Sequence, residues 1–135
     1  MTEEEAIRQL LARFIQLRDD KQFNAWSELF TYDGTFTYGT VRLEGRAAIR
    51  EHVAGLLARD EGKHLCLNSV IDVDGNRASV SSDFAKLDPA AGGAGYVIGT
   101  AGRYVDELMR IEGSWRIARR DVIIEGRTPA SGPAG

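Results

Sequence analysis

Apolar residues recur every three or four positions near the start of the chain, which is the spacing of a helix that buries one face. This stripe consists of Ile7, Leu10, Leu11, Phe14 and Ile15. Thr2 precedes Glu5 by three residues, the pattern of a capping box that begins a helix. The sequence therefore predicts a first helix over residues 2–20.

Two further stretches show helical spacing. In the second predicted helix, which is short, four residues share one face: Phe23, Trp26, Leu29 and Phe30. In the third, over residues 46–62, the inward positions are Ile49, Val53, Leu56 and Leu57. Between these helices, Phe36 and Tyr38 alternate with polar residues among turn glycines. That pattern predicts a short strand pair, or a strand and a loop, in residues 33–45.

From residue 64 onward the apolar period changes from that of helices to that of strands. Strands are predicted over residues 64–73, 77–87, 96–111 and 115–126. The first two flank "DGN", a hairpin signal, and "PAAGGAG" indicates a flexible hairpin tip. Helices followed by hairpin-linked strands predict an α+β fold, in which helices cover one face of a curved antiparallel sheet. Such a sheet leaves a cone that can hold a small molecule.

Length and charge narrow the class of protein. The 135 residues suit one domain, assigned to residues 1–127, followed by a small-residue tail over 128–135 that we expect to be disordered. A net charge of −3 argues against nucleic-acid binding. The chain shows no membrane-spanning stretch and no signal peptide, so we expect a cytoplasmic protein. A single cysteine excludes a disulfide within the chain.

The strand that begins at His64 carries the first candidate chemistry. Strict alternation places His64, Cys66, Asn68 and Val70 on one face, a mixture that suits the wall of a semi-polar cavity. The simpler interpretation is that His64 begins the strand and meets water. Cys66 is interpreted as a small apolar filler rather than a nucleophile.

A histidine becomes a useful base when a carboxylate holds its ring. Asp19 or Asp20, at the end of the first helix, can supply that carboxylate, although aspartates also end helices for solubility alone. Arg120 can hold an anion if it points inward, but "RIARRDV" is also typical of a solvated strand face. The alternation of side chains along the strand does not decide whether Arg120 points inward or toward solvent. His52 is interpreted as a packing residue, and the absence of metal or cofactor motifs predicts neither group.

The order of motifs resembles that of the SnoaL-like proteins of the nuclear transport factor 2-like superfamily. The resemblance covers about residues 5–125 and rests on "AIRQLLARFIQLRDDKQFNAWSELFTYDGTF", "LEGRAAIREHV", "HLCLNSVIDVDGNRASV" and "GRYVDELMRIEGSWRIARR". It is nearest to the branch of hexachlorocyclohexane dehydrochlorinase, scytalone dehydratase and bile-acid 7α-dehydratase. This implies a cone-shaped α+β barrel in which three N-terminal helices pack on a strongly curved antiparallel sheet and enclose a hydrophobic cavity.

The same resemblance implies a chemistry. Enzymes of this branch use no cofactor; an Asp-supported His removes a proton from carbon and a leaving group departs. The matching residues here are Asp19, with Asp20 as a rival, His64 as the base, and Arg120 and Tyr38 as stabilisers of developing charge. Phe14 and Arg18 stand where the dehydratases carry a second tyrosine, and no second strand histidine is present. These departures argue against either specific dehydration.

The hypothesis from the sequence is a lyase or isomerase that resembles a dehydratase, a dehydrochlorinase or a ketosteroid isomerase. Its substrate would be a small apolar cyclic molecule, such as a polyketide-like or steroid-like compound. Asn68 and Cys66 are candidate substrate contacts, and Trp26, Phe36 and Tyr104 are candidate cavity walls. The resemblance also implies a homodimer or homotrimer that buries apolar residues on the outer sheet face, such as Val122 and Ile124 or Val105. The alternative is a non-catalytic small-ligand-binding or assembly domain of the same fold.

Overall fold

The computed structural model describes residues 1–129. Within them, three helices are interleaved with six strands. The helices are α1 (Glu3–Asp19), α2 (Phe23–Ser27) and α3 (Arg46–Leu57). The strands are β1 (Phe30–Tyr38), β2 (Val41–Glu44), β3 (Lys63–Asp74), β4 (Arg77–Pro89), β5 (Tyr96–Ile111) and β6 (Ser114–Arg127). The α+β class is thus confirmed, but β1 and β2 precede the third helix.

The strands form one curved sheet in the order β2-β1-β6-β5-β4-β3. Every neighbouring pair is antiparallel except β1 and β6, which run parallel. The prediction of a wholly antiparallel sheet is therefore wrong at this pair. Hairpins can join only antiparallel neighbours, whereas the long connection from β1 to β6 allows a parallel contact. β3 lies at one edge of the sheet, and α1 packs beside it.

The first helix begins and buries its stripe as the sequence predicts. The backbone N–H of Glu5 donates to Oγ1 of Thr2 at 3.1 Å, and the backbone N–H of Thr2 donates to Oε2 of Glu5 at 2.9 Å. Five stripe residues are buried, Ile7, Leu10, Leu11, Phe14 and Ile15. The buried face continues to Arg18, one turn beyond Phe14.

Four aromatic residues fill the core beneath the helices. Phe14, Trp26, Phe30 and Phe36 pack with ring centroids 5.2 to 6.2 Å apart. Phe30 was predicted on the second helix, but that helix ends at Ser27 and Phe30 begins β1, where it pairs with Ile117. Trp26 and Phe36, predicted as cavity walls, lie in this packed cluster.

A bulge in β3 changes which residues face the interior. Leu67 pairs with Asp83 and Val70 with Ser81, so Asn68 and Ser69 together stand opposite one residue. Asn68 takes a left-handed backbone conformation, with φ of 48°. An extra residue inverts the side-chain alternation beyond it. The predicted face therefore holds for His64 and Cys66 only, and Val70 is 64% exposed.

A second register shift in β6 turns Arg120 inward. Leu108 pairs with Ile117 but Glu107 pairs with Arg119, which leaves Ala118 as an extra residue. Arg120 is consequently buried on the same side as Ile117. The shift also buries Val122, which was predicted on the outer face. Val105, the third residue named for that face, is exposed together with Ile123.

The chain after β6 still touches the sheet. The backbone N–H of Thr128 donates to the carbonyl of Gly99, and its hydroxyl donates to that of Ile98, both at 2.7 Å. The predicted disordered tail began at this residue, and its last part, residues 130–135, lies outside the described residues. No helix within residues 1–129 is long and apolar enough to cross a membrane.

Candidate functional site

The end of α1 meets the start of β3 through a carboxylate and an imidazole. Nδ1 of His64 lies 2.7 Å from Oδ1 of Asp19, and the backbone N–H of His64 donates to Oδ2 of Asp19 at 2.9 Å. An ionised Asp19 accepts at both oxygens, so Nδ1 carries the proton and Nε2 the lone pair. Asp20 makes no such contact; its backbone N–H donates to Gln16 within the last turn. The structure thus pairs His64 with Asp19 rather than Asp20.

Burial determines the charge state of this pair. His64 is 2% exposed. Burial and the nearby positive charge of Arg18 lower the pKa of His64 to about 4, although Asp19 pulls it the other way. The ring is therefore neutral near pH 7. Burial alone would raise the pKa of Asp19, but its hydrogen bonds with His64 and the charge of that ring hold it below its usual value.

Nε2 of His64 is buried and has no hydrogen-bond partner among the described residues. Buried polar atoms normally have a partner, so an orphaned one marks a place where a further molecule can bind. On the neighbouring strand, the residue opposite His64 is Lys86, which is itself buried and paired with Asp60 and Asp88. The lone pair of Nε2 is the only basic function of the ring that remains available.

Arg18 belongs to the site although sequence reasoning gave it no role there. It is 1% exposed, and its Nη2 donates to the hydroxyl of Tyr104 at 3.2 Å. Its guanidinium lies over the ring of Phe14, 4.8 Å from the centroid. The sequence does contain a signal for the burial of Arg18, because this residue falls four positions after Phe14 on the apolar stripe of α1. A charged residue at such a position indicates a buried polar contact.

Arg120 forms a second buried cationic group. Its Nε and Nη2 donate to the two carboxylate oxygens of Asp106 at 2.7 and 2.8 Å. The guanidinium also lies 4.0 Å from the ring centroid of Phe14 and 3.9 Å from that of Tyr104. Its Nη1 is buried without a hydrogen-bond partner among residues 1–129. The interpretation of "RIARRDV" as a solvated strand face is therefore wrong for Arg120. Arg119, which is exposed, does lie on such a face.

A groove runs between α1 and β3 and reaches His64. Its volume is about 410 Å³, within the range of small-molecule sites. Cys66 and Ser69 follow His64 on its wall, and the hydroxyl of Ser69 lies 2.7 Å from that of Ser82. Asn68 also lines the groove, from the bulge. Ser69 was not predicted, because only the bulge brings it to this wall.

Tyr38 is placed apart from the dyad. Its hydroxyl lies 2.5 Å from Nε2 of His52 on α3, and burial raises its pKa. No hydrogen bond within the described part of the chain connects it to His64. Tyr104 does join the site, through Arg18 and Arg120. Among the same residues, no three His, Cys, Asp or Glu side chains form a group that could hold a metal ion.

The model of the SnoaL-like domain family matches residues 1–121. A protein of unknown function from Mycobacterium tuberculosis is 32% identical, with a TM-score of 0.85, over 91% of this chain and 72% of its own. A nuclear transport factor 2-like protein with a cystatin-like fold from Novosphingobium aromaticivorans is 25% identical, with a TM-score of 0.83, over 96% and 86%. These matches confirm the resemblance to the SnoaL-like proteins of the nuclear transport factor 2-like superfamily, whereas the assignment to one branch of it stays a prediction.

A scytalone dehydratase-like protein from Novosphingobium aromaticivorans is similar in fold. It is 22% identical, with a TM-score of 0.81, over 98% of this chain and 93% of its own. No curated protein matches the chain.

Proposed function

Because the chain belongs to the SnoaL-like domain family, we propose that it is a cofactor-independent lyase or isomerase whose base is His64. One observation carries the proposal: Asp19 holds Nδ1 of a buried, neutral imidazole whose Nε2 has no partner among the described residues. A ring held in this way is ready to accept a proton at Nε2, and Asp19 offsets the charge that develops. The fold shared with a scytalone dehydratase-like protein supports the same class of reaction.

The proposed reaction begins on a carbon next to a carbonyl group. The C–H proton moves to Nε2 of His64, and the bonding electron pair shifts onto the carbonyl oxygen. Arg120 donates Nη1–H to that oxygen, where its charge has most effect because the site is buried. The electron pair then returns to that carbon and expels a leaving group from the adjacent carbon, which departs with the proton from His64. If a C=C bond is conjugated with the enolate, the electron pair instead reaches the far carbon of that bond, which takes the proton back from His64. The first outcome is a lyase and the second an isomerase.

The low pKa of His64 limits the substrate. A base with a conjugate-acid pKa of about 4 is weak, so the C–H bond must already be acidified by a neighbouring carbonyl. The apolar walls of the groove, such as Leu11 and Ile15, favour a small apolar ring system. Nε2 is buried, so this molecule must displace groove side chains before it reaches the base.

Deuterium exchange tests the proposal without knowledge of the leaving group. α-Tetralone, a small apolar cyclic ketone, is incubated with the protein in heavy water, and loss of its α-proton signal is followed by NMR. We expect exchange above the buffer rate, and a fall of about 100-fold or more in Asp19→Asn. Asp20→Asn is the matched control and keeps the wild-type rate. His64→Gln should fall to the buffer rate while circular dichroism shows a folded protein.

Equal exchange rates in wild-type protein and His64→Gln would contradict the proposal, as would an Asp20→Asn variant that loses as much as Asp19→Asn. A ketone panel with substituted rings extends the same assay if α-tetralone itself does not exchange. Absence of exchange across the panel, with the ketones bound, would also count against an enzyme.

The second candidate is a ligand-binding domain without turnover. The burial of Nε2 favours it, because a base sealed from solvent serves no bound molecule until side chains move. A binding domain should hold the ketones with equal affinity in wild type and His64→Gln, and exchange none of their protons. The assay above therefore separates the two functions.

A further inference from the structure

One face of α1 forms a continuous wall of the groove. Its lining residues recur once per helical turn, singly or as adjacent pairs: Arg8, then Leu11 and Ala12, then Ile15 and Gln16. Asp19 is the next position on the same face, so this wall leads directly to the dyad. The opposite wall is residues 63–69 of β3. Five of the twelve lining residues are leucine, isoleucine or alanine.

The residues that line this groove carry positive charge and no carboxylate. Of its twelve lining residues, Arg8 and Lys63 are cationic and none is an aspartate or glutamate. Neither cation forms an ion pair among the described residues. Glu4 and Glu5 lie one turn before Arg8, but neither forms an ion pair with it, and the carboxylate of Glu5 accepts from the backbone of Thr2. An apolar groove with unopposed positive charge attracts an anion that also has an apolar body.

A second groove, on the far side of α1, does have a carboxylate among its lining residues. It has a similar volume, about 380 Å³, and is also lined by two arginines, Arg13 and Arg116. Glu28 lies among its lining residues and opposes their charge. The absence of a carboxylate is therefore a property of the groove at His64 and not of α1 as a whole.

We propose that the molecule which reaches His64 is an apolar acid, with its carboxylate at Arg8 and its rings between α1 and β3. This inference rests on the proposed function, since it names the substrate class of the same site. Arg8 stands eleven residues before Asp19, which is about 16 Å along a helix at 1.5 Å per residue. A fused-ring acid directed along this wall places its far ring toward the dyad.

Matched probes test the charge requirement. Naphthylacetic acid and naphthylacetamide share their rings and differ in the negative charge. Dissociation constants are measured by calorimetry for the full chain at low ionic strength. We expect the acid to bind about fivefold more tightly than the amide, the scale of one partly exposed ion pair. Added salt should weaken binding of the acid and leave that of the amide unchanged.

Two charge variants locate the acid. Arg8→Gln should reduce the preference for the acid to within about twofold, whereas Arg13→Gln, the control from the other groove, should keep it. Both positions are exposed, so neither change should affect folding. Equal binding of acid and amide to the wild type would overturn the inference. So would the same loss of preference in both variants.

Failure of this inference can be told from failure of the proposed function. If acid and amide bind equally while α-tetralone still exchanges through His64, only the substrate class is wrong. If the acid is preferred but no ketone exchanges, the groove binds acids and the base assignment is wrong.

Discussion

Asp19 contacts His64 twice, once at the ring Nδ1 and once at the backbone N–H. The two contacts use both carboxylate oxygens, so the carboxylate cannot rotate without losing one of them. They also tie the last residue of α1 to the start of β3, 45 positions later in the chain. The same carboxylate therefore orients the base and joins two elements of the fold.

Asp19→Asn should lower stability as well as exchange activity. An amide offers one acceptor oxygen, so either Nδ1–H or the backbone N–H of His64 loses its partner. An unsatisfied buried donor costs about 1–3 kcal/mol, and we expect that fall in the free energy of unfolding in urea. Asp20→Asn, whose side chain makes no such contact, should stay within about 0.5 kcal/mol of the wild type. Equal losses in the two variants would contradict the double contact.

Arg18→Met should raise the pKa of His64. Burial is the largest cause of the low pKa of about 4, and the charge of Arg18 is the second. Methionine fills similar space without a charge. The His64 ring signals are titrated by NMR in both proteins. Arg13→Met, at an exposed position of the same helix, is the control and should leave the His64 midpoint in place. A midpoint that does not move in Arg18→Met would show that burial and the charge of Lys86, and not Arg18, depress the pKa of His64.

Stability should fall as the pH drops from about 7 to 5. His64 has a pKa of about 4 in the folded chain and 6.5 when unfolded, so the unfolded state binds more protons between these values. Stability is therefore present above pH 6.5 and is lost toward pH 4, by about 2 kcal/mol at pH 5. Asp19, whose pKa is also lowered, adds a loss in the same direction only at more acid pH.

Urea unfolding at several pH values measures this slope. His64→Gln should flatten it between pH 7 and 5, because glutamine does not titrate. The control, Arg13→Gln at an exposed position of α1, should keep the wild-type slope. A slope that persists in His64→Gln would assign the acid sensitivity to another group.

The elements could be predicted from local pattern, but the site could not. The capping box of Thr2 and Glu5 and the turn after Asp74 depend on residues close in sequence, and both form as predicted. The pairing of Asp19 with His64 joins residues 45 positions apart, and only resemblance to a family indicated it. Alternation failed where the backbone inserts one residue, at Asn68 in β3 and at Ala118 in β6.

Neither bulge has a strong local signal, because asparagine and alanine are also common outside bulges. The bulges decide much of the site, since one brings Ser69 to the groove wall and the other turns Arg120 inward. Arg18 is the exception. Its place on the apolar stripe of α1 was visible in the sequence, and its burial follows from that place.

Arg120→Met should destabilise the fold through the partner that it leaves behind. Asp106 is 0% exposed, and burial already raises its pKa; without Arg120 it must either stay charged in the core or take up a proton. Breaking a buried pair from one side costs about 3–5 kcal/mol, whereas replacing both partners with apolar residues is often nearly neutral. Arg120→Met combined with Asp106→Leu should therefore recover most of the loss in urea unfolding.

Arg119→Met is the control; it removes an exposed ion pair with Asp121 and should cost less than about 1 kcal/mol. If the double variant is no more stable than Arg120→Met alone, the loss comes from the packing of Arg120 between Phe14 and Tyr104, not from the stranded carboxylate.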